Sequence, residues 1–73
     1  MRAKLELVAS ATNNAGQRVM RFRWNNGLRA ETDQATGSTR YWRRNGVELR
    51  NLESRTVKHM RACMEEYRRT ARL

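Results

Sequence analysis

Four glycines, each preceded by residues that favour turns, divide the first two-thirds of the chain at near-regular intervals. They stand at Gly16, Gly27, Gly37 and Gly46, after stretches rich in Asn or ending in Thr. Asn-Gly and Thr-Gly supply the left-handed backbone that tight hairpins require. The sequence therefore predicts an antiparallel meander of three or four short strands over about residues 3–50.

The segments between the glycines alternate between apolar and polar residues, as strands do. The clearest is residues 20–24, where Met20, Phe22 and Trp24 alternate with Arg21 and Arg23. This pattern predicts a strand with one core-facing side and one guanidinium-bearing side.

The other segments alternate less regularly. In the first, the pattern predicts that Leu5, Leu7 and Ala9 share a face opposite Lys4, Glu6 and Val8. In residues 28–34 an apolar set opposes a charged set, and residues 38–44 place Tyr41 and Trp42 among arginines. Adjacent strand residues point to opposite faces, so one of these two aromatic residues is expected to be partly exposed.

The apolar spacing changes to a helical period from about residue 52. Val57, Met60, Met64 and Tyr67 fall on one stripe, and Asn51 or Ser54 can cap the start. A helix over about residues 52–71 is therefore predicted, packed across the sheet. The fold class is α+β: one antiparallel meander and one C-terminal helix in a single domain over residues 1–73.

Positive charge dominates the composition. Fourteen of the 73 residues are arginine and two are lysine, which gives a formal net charge of +9. Such a chain is drawn to nucleic acid, an anionic membrane or an acidic protein surface. Arginine also makes planar, bidentate contacts to phosphate, guanine or carboxylate that lysine cannot make.

Two groups of basic residues, with one aromatic residue, are candidate contacts for a partner or for phosphates. On the sheet they could lie against DNA, or they could form a solvated face paired with Glu31 and Asp33. On the helix they could form a docking stripe, or again a solvent face. The candidates are Arg21, Arg23, Arg29, Arg40, Trp42, Arg43 and Arg44 on the sheet, and Lys58, Arg61, Arg68, Arg69 and Arg72 on the helix.

Catalytic, metal and cofactor sites are not expected. His59 and Cys63 lie four residues apart on the predicted helix and could meet. No further ligand with the usual paired spacing accompanies them. Cys63 borders the apolar stripe, where a small core side chain is the simpler interpretation. We therefore expect a protein without enzymatic activity and without a small-molecule substrate.

One short segment resembles a known DNA-binding domain. Residues 25–37 read Asn-Asn-Gly, then five residues, then Asp33-x-x-Thr36-Gly37. This resembles the hairpin of the arm-type DNA-binding domains of phage integrases, in which a three-stranded sheet backed by a helix enters the major groove. The resemblance implies strand contacts to DNA from positions such as Arg23, Arg29 and Arg40.

In size, arginine bias and single cysteine, the whole chain resembles small phage-encoded transcription regulators. Such proteins bind host RNA polymerase, inhibit initiation and allow elongation past terminators. The resemblance implies a bacterial RNA polymerase as the favoured partner, with direct DNA binding as the alternative. The lone cysteine, the absence of a signal peptide after Met1 and the lack of a membrane-spanning run favour the reducing cytoplasm, here that of a bacterial host. The protein is also expected to be a monomer.

Overall fold

One antiparallel sheet and one helix make up the fold of the described residues. The computed structural model describes residues 3–71. Its strands are β1 (Leu5–Thr12), β2 (Arg18–Trp24), β3 (Arg29–Asp33) and β4 (Thr39–Trp42), which lie in the sheet in chain order. The helix, α1 (Arg55–Thr70), follows them. The predicted α+β meander with a C-terminal helix is thus confirmed.

Each predicted glycine turn closes a hairpin. The amide of Gly16 donates to the carbonyl of Asn13 at 3.0 Å, and that of Gly27 donates to Trp24 at 3.0 Å. Gly27 has a φ of 91°, a backbone conformation that residues with a Cβ rarely adopt. Local turn chemistry therefore explains why the strands follow one another without a crossover.

The turn at Gly46 returns the chain to the edge of β4. The amide of Leu49 donates to the carbonyl of Tyr41 at 2.7 Å, and Glu48 forms a bridge with Trp42. Leu49 is buried, whereas Val47 is exposed. Residues 47–49 therefore extend the meander by a short fifth segment.

The core lies between the sheet and α1. Phe22 and Trp24 from β2 pack with Val57, Met60 and Met64 from the helix, and all five are buried. Ser54 caps the helix, since its hydroxyl accepts a hydrogen bond from the amide of Val57 at 3.2 Å. The two predicted apolar faces therefore meet as expected.

A bulge in β1 overturns the predicted face of that strand. Leu5 pairs with Trp24, but Leu7 pairs with Arg23, so one extra residue is inserted between the two pairs. The bulge shifts the alternation: Val8 packs against the core, and Leu7 is 48% exposed on the opposite face. The prediction that Leu5 and Leu7 share a face is therefore wrong.

Candidate nucleic-acid interface

The sheet face opposite the helix, called the outer face below, carries most of the sheet's charged side chains. Cross-strand partners lie on the same face, and the register therefore assigns its members. From β1 to β4 the outer face consists of Leu7, Ala9, Ala11, Val19, Arg21, Arg23, Arg29, Glu31, Asp33, Arg40 and Trp42.

One row across the outer face places two arginines side by side between apolar residues. Leu7 pairs with Arg23, Arg23 with Arg29, and Arg29 with Trp42. Like charges directly opposite each other in a sheet are destabilising, by roughly 0.2–1 kcal/mol. The row is therefore a local concentration of positive charge that the fold itself does not require.

The two arginines of this row differ in whether a carboxylate lies close enough to pair with them. Arg23 lies 3.4 Å from a carboxylate oxygen of Glu6, and both side chains are more than half exposed, so that pair contributes little. Within residues 3–71, no carboxylate pairs with Arg29. Arg29 is thus free to bind an external anion.

The adjacent row consists of Ala9, Arg21, Glu31 and Arg40, and each of its arginines forms an ion pair with a carboxylate. Nε of Arg21 lies 3.2 Å from Glu31, and Nη2 of Arg40 donates to Glu48 at 2.6 Å. The hydrogen bond with Arg40 lowers the pKa of Glu48, and that with Glu48 raises the pKa of Arg40. Since the folded pKa of Glu48 is depressed, this pair contributes stability at neutral pH that is lost as the pH falls through that pKa.

Trp42 is the partly exposed member of the adjacent aromatic pair, as the alternation requires. Tyr41 is buried in the core, and burial raises the pKa of its phenol while Arg61 and Arg68 lower it. The guanidinium carbon of Arg40 lies 5.3 Å from the ring centroid of Trp42, within the range of a cation–π contact. One face of the indole is therefore occupied by a side chain of the same sheet.

A shallow groove runs along the row of Arg23 and Arg29. Its volume is about 520 Å³, and its lining includes Leu7, Arg29, Trp42 and Gly46. The groove combines apolar walls at both ends with guanidinium groups in the middle. Such a surface offers both charge and apolar contact to an anionic partner.

Arg43 and Arg44 lie in the turn beside this groove rather than on a strand. Both are exposed, and no carboxylate of residues 3–71 pairs with either. The stem of Arg44 lies so close to Gly27 that a Cβ there would come within 2.6 Å of Cγ of Arg44. That contact fixes the Gly46 turn against the β2–β3 turn at one end of the sheet.

The basic residues of the helix do not join the outer face. Arg68 donates through Nη2 to the hydroxyl of Thr32 at 3.4 Å, beside a cleft that Arg61 also lines. Lys58 pairs with Glu53 at 3.5 Å, and Arg69 is exposed. Arg72 lies outside the described residues.

Two ion pairs suggested by helical spacing do not form. Glu65 lies four residues from both Arg61 and Arg69, yet it pairs with neither. Glu65 therefore neutralises neither Arg61 nor Arg69, and both arginines are exposed. The helix and the outer face are two separate basic surfaces on opposite sides of the molecule.

The contact between His59 and Cys63 serves the fold. Nε2 of His59 lies 2.7 Å from the carbonyl oxygen of Ala3 and 3.6 Å from Sγ of Cys63. A carbonyl can only accept, so Nε2 carries the proton and donates it to Ala3. The nitrogen that faces the thiol is thus not available as a base. No cluster of three or more His, Cys, Asp or Glu side chains suited to a metal ion occurs within residues 3–71.

Two features of the interface are not visible in the sequence pattern. The exposure of Leu7 depends on the bulge, and the tie between Arg40 and Glu48 depends on the fifth segment. Both arise from pairing between strands, which no local sequence pattern indicates.

Within residues 3–71, α1 is neither long nor apolar enough to cross a membrane.

No protein-family model, curated protein or solved structure matches this chain.

Proposed function

We propose that the protein is a non-enzymatic transcription regulator that binds double-stranded DNA through its outer face. The observation that carries the proposal is the row in which Arg23 and Arg29 lie opposite each other between Leu7 and Trp42. The resemblance of the whole chain to small phage-encoded regulators narrowly favours RNA polymerase over DNA as the partner. We give DNA precedence because the register places Arg23 and Arg29 side by side on an open sheet face, and within residues 3–71 no carboxylate pairs with Arg29.

The shape of this face suits a DNA groove. The major groove is about 12 Å wide and admits a two-stranded ribbon. The two central strands of the sheet, β2 and β3, carry both arginines, with β1 and β4 on either side of them, and the helix covers only the opposite face. Guanidinium groups at this position can contact phosphates or the edge of guanine, and the apolar ends of the row can contact thymine methyl groups.

The indole of Trp42 favours duplex over single-stranded DNA. Stacking of unpaired bases needs an accessible aromatic ring. Arg40 already lies over Trp42 and is itself held by Glu48. A base could stack on that ring face only after displacing the guanidinium.

A binding titration with fluorescent DNA tests the proposal. We expect the protein to bind a random duplex more tightly than the single strand of the same length, with affinity that falls linearly in log–log form as salt rises. Chemical shifts should change at Leu7, Arg29 and Trp42 and not along α1. Absence of duplex binding at low salt, or tighter binding of the single strand, would contradict the proposal.

RNA polymerase is the second candidate, and a specific observation favours it. Arg43, Arg44, Arg61 and Arg69 lie off the outer face, and within residues 3–71 none has a carboxylate partner. Patches of this kind fit an acidic protein surface and chiefly raise the association rate.

A pull-down of polymerase from bacterial lysate, with and without nuclease, separates the two candidates. If polymerase is the direct partner, its recovery should survive nuclease, and charge reversal at Arg43 and Arg44 should reduce it. The matched control is charge reversal at Arg23 and Arg29, which should leave recovery unchanged. If nuclease removes the polymerase, the direct partner is DNA.

A further inference from the structure

The hydrophobic core is incompletely covered along β1. Among residues 3–71, the hydrophobic side chains that pack against the core yet are only partly buried lie on this side of the molecule. They belong to β1 and the residues before it, to β2 where it pairs with β1, and to the neighbouring flank of α1. These residues are Ala3, Leu5, Val8, Met20, Cys63 and Tyr67. A groove of about 610 Å³ opens there, and its lining includes Leu5, Cys63 and Tyr67.

The same side has a free sheet edge. β1 is eight residues long and, among residues 3–71, has a neighbouring strand on one side only, so alternate backbone amides and carbonyls point outward. The opposite edge differs, because Glu48 and Leu49 bond to part of β4. After the bulge, residues 7–12 continue without interruption. An unblocked edge of this kind is a template for another strand.

The distribution of charged residues along the chain indicates which kind of partner can approach this edge. The chain carries a net charge of +9, yet residues 7–17 contain no charged side chain. The helix flank above β1 presents His59, Cys63, Glu66 and Thr70, and among residues 3–71 Lys4 is the one lysine or arginine that lines the groove. If two copies approached each other through their basic surfaces, arginines of one copy would face arginines of the other. Along β1 they can meet without that repulsion.

We propose that a second copy of this chain binds here, through antiparallel pairing of β1 with β1 about a two-fold axis centred on Ala9. Pairs on one face then align Ala9 with Ala9 and Leu7 with Ala11 of the second copy. An isologous interface needs a self-complementary surface, and an edge strand paired with its own copy provides one. The half-buried side chains of the two grooves face each other across the axis.

The dimer would join the two four-stranded sheets into one sheet of eight strands. The axis is perpendicular to the sheet, so both outer faces lie on the same side. Each basic row then has a symmetry mate, and the arginines of the outer face lie on β2, β3 and β4 rather than on the paired β1 strands. This inference does not depend on the proposed function, because it follows from the edge, the core and the charge alone.

Sedimentation equilibrium over a range of concentrations tests the dimer. We expect a reversible monomer–dimer equilibrium in the wild type. Ala9→Lys should raise the dimer dissociation constant by about tenfold or more, because it places two like charges opposite each other at the axis. Ala35→Lys is the matched control: it adds the same charge at an exposed turn residue and should leave the dissociation constant within about twofold. Circular dichroism checks that both variants fold.

Disulfide trapping tests the register. In a Cys63→Ser background, Ala9→Cys should form a covalent dimer under mild oxidation, because directly opposed residues lie within disulfide reach. Ala35→Cys should not. A wild type that stays monomeric at every concentration would overturn the inference. So would a dimer that is insensitive to Ala9→Lys, or equal trapping of the two cysteine variants.

Discussion

Replacing Trp24 with alanine is expected to leave a large fraction of the protein unfolded at room temperature. The side chain is 1% exposed and packs within the core cluster. Truncation of a buried tryptophan costs about 3–5 kcal/mol, and a domain of this size has a total stability of about that magnitude. Urea denaturation followed by far-UV circular dichroism measures the loss.

Two control variants test whether the loss of stability comes from the buried position of Trp24. Trp42→Ala removes the same side chain from the outer face, where it is only partly buried, and should cost about 1 kcal/mol or less. Trp24→Phe keeps the aromatic packing and removes the indole Nε1, a buried donor that has no hydrogen-bond partner within residues 3–71. Such a donor costs about 1–3 kcal/mol. Trp24→Phe should therefore remain folded, and equal stability of the wild type and Trp24→Ala would show that the assigned core is wrong.

Neutralising Arg23 and Arg29 together is expected to cause the largest loss of DNA affinity. Two phosphate or base contacts disappear, so affinity should fall by about tenfold or more, and the salt slope should decrease by about 1.8. Salt-dependent anisotropy with the duplex probe measures both quantities.

The matched control changes the same amount of charge on the other basic surface. Arg61→Gln with Arg69→Gln should alter the salt slope far less, because those residues lie on α1 and away from the outer face. The free energy of unfolding of the sheet variant should change by less than about 1 kcal/mol, since removing the like-charge pair offsets the loss of the exposed contact with Glu6. Equal slopes for the two double variants would remove the outer face from the DNA proposal.

The parts of the fold that local chemistry controls could be predicted from the sequence. The glycine turns depend on a few adjacent residues, and each closes a turn. The stripe of Val57, Met60 and Met64 follows from helical geometry and is buried. In β2, strict alternation correctly separates Phe22 and Trp24 from the arginines.

Features set by pairing between distant segments could not be predicted in the same way. A bulge is defined by which residues of two strands stand opposite each other, so counting along β1 alone misplaces Leu7. Arg40 is a candidate contact by type, but Glu48 reaches it only because the chain returns to β4. Arg29 is distinguished because no carboxylate of residues 3–71 pairs with it. The sequence therefore predicts which segments are rich in arginine, and the pairing of the strands determines which of these arginines have a carboxylate partner.

The order of the strands has a consequence for how the protein folds. Every strand pairs with its neighbour in the chain through a short turn, so the sheet contains only low-contact-order pairings. Helix docking is the exception, since it brings His59 to Ala3 across 56 positions of the chain. Closing that long loop costs entropy before its contacts form. We therefore expect the hairpins to form first and the arrival of α1 to limit the folding rate, so that helix-face substitutions slow folding more than turn substitutions do.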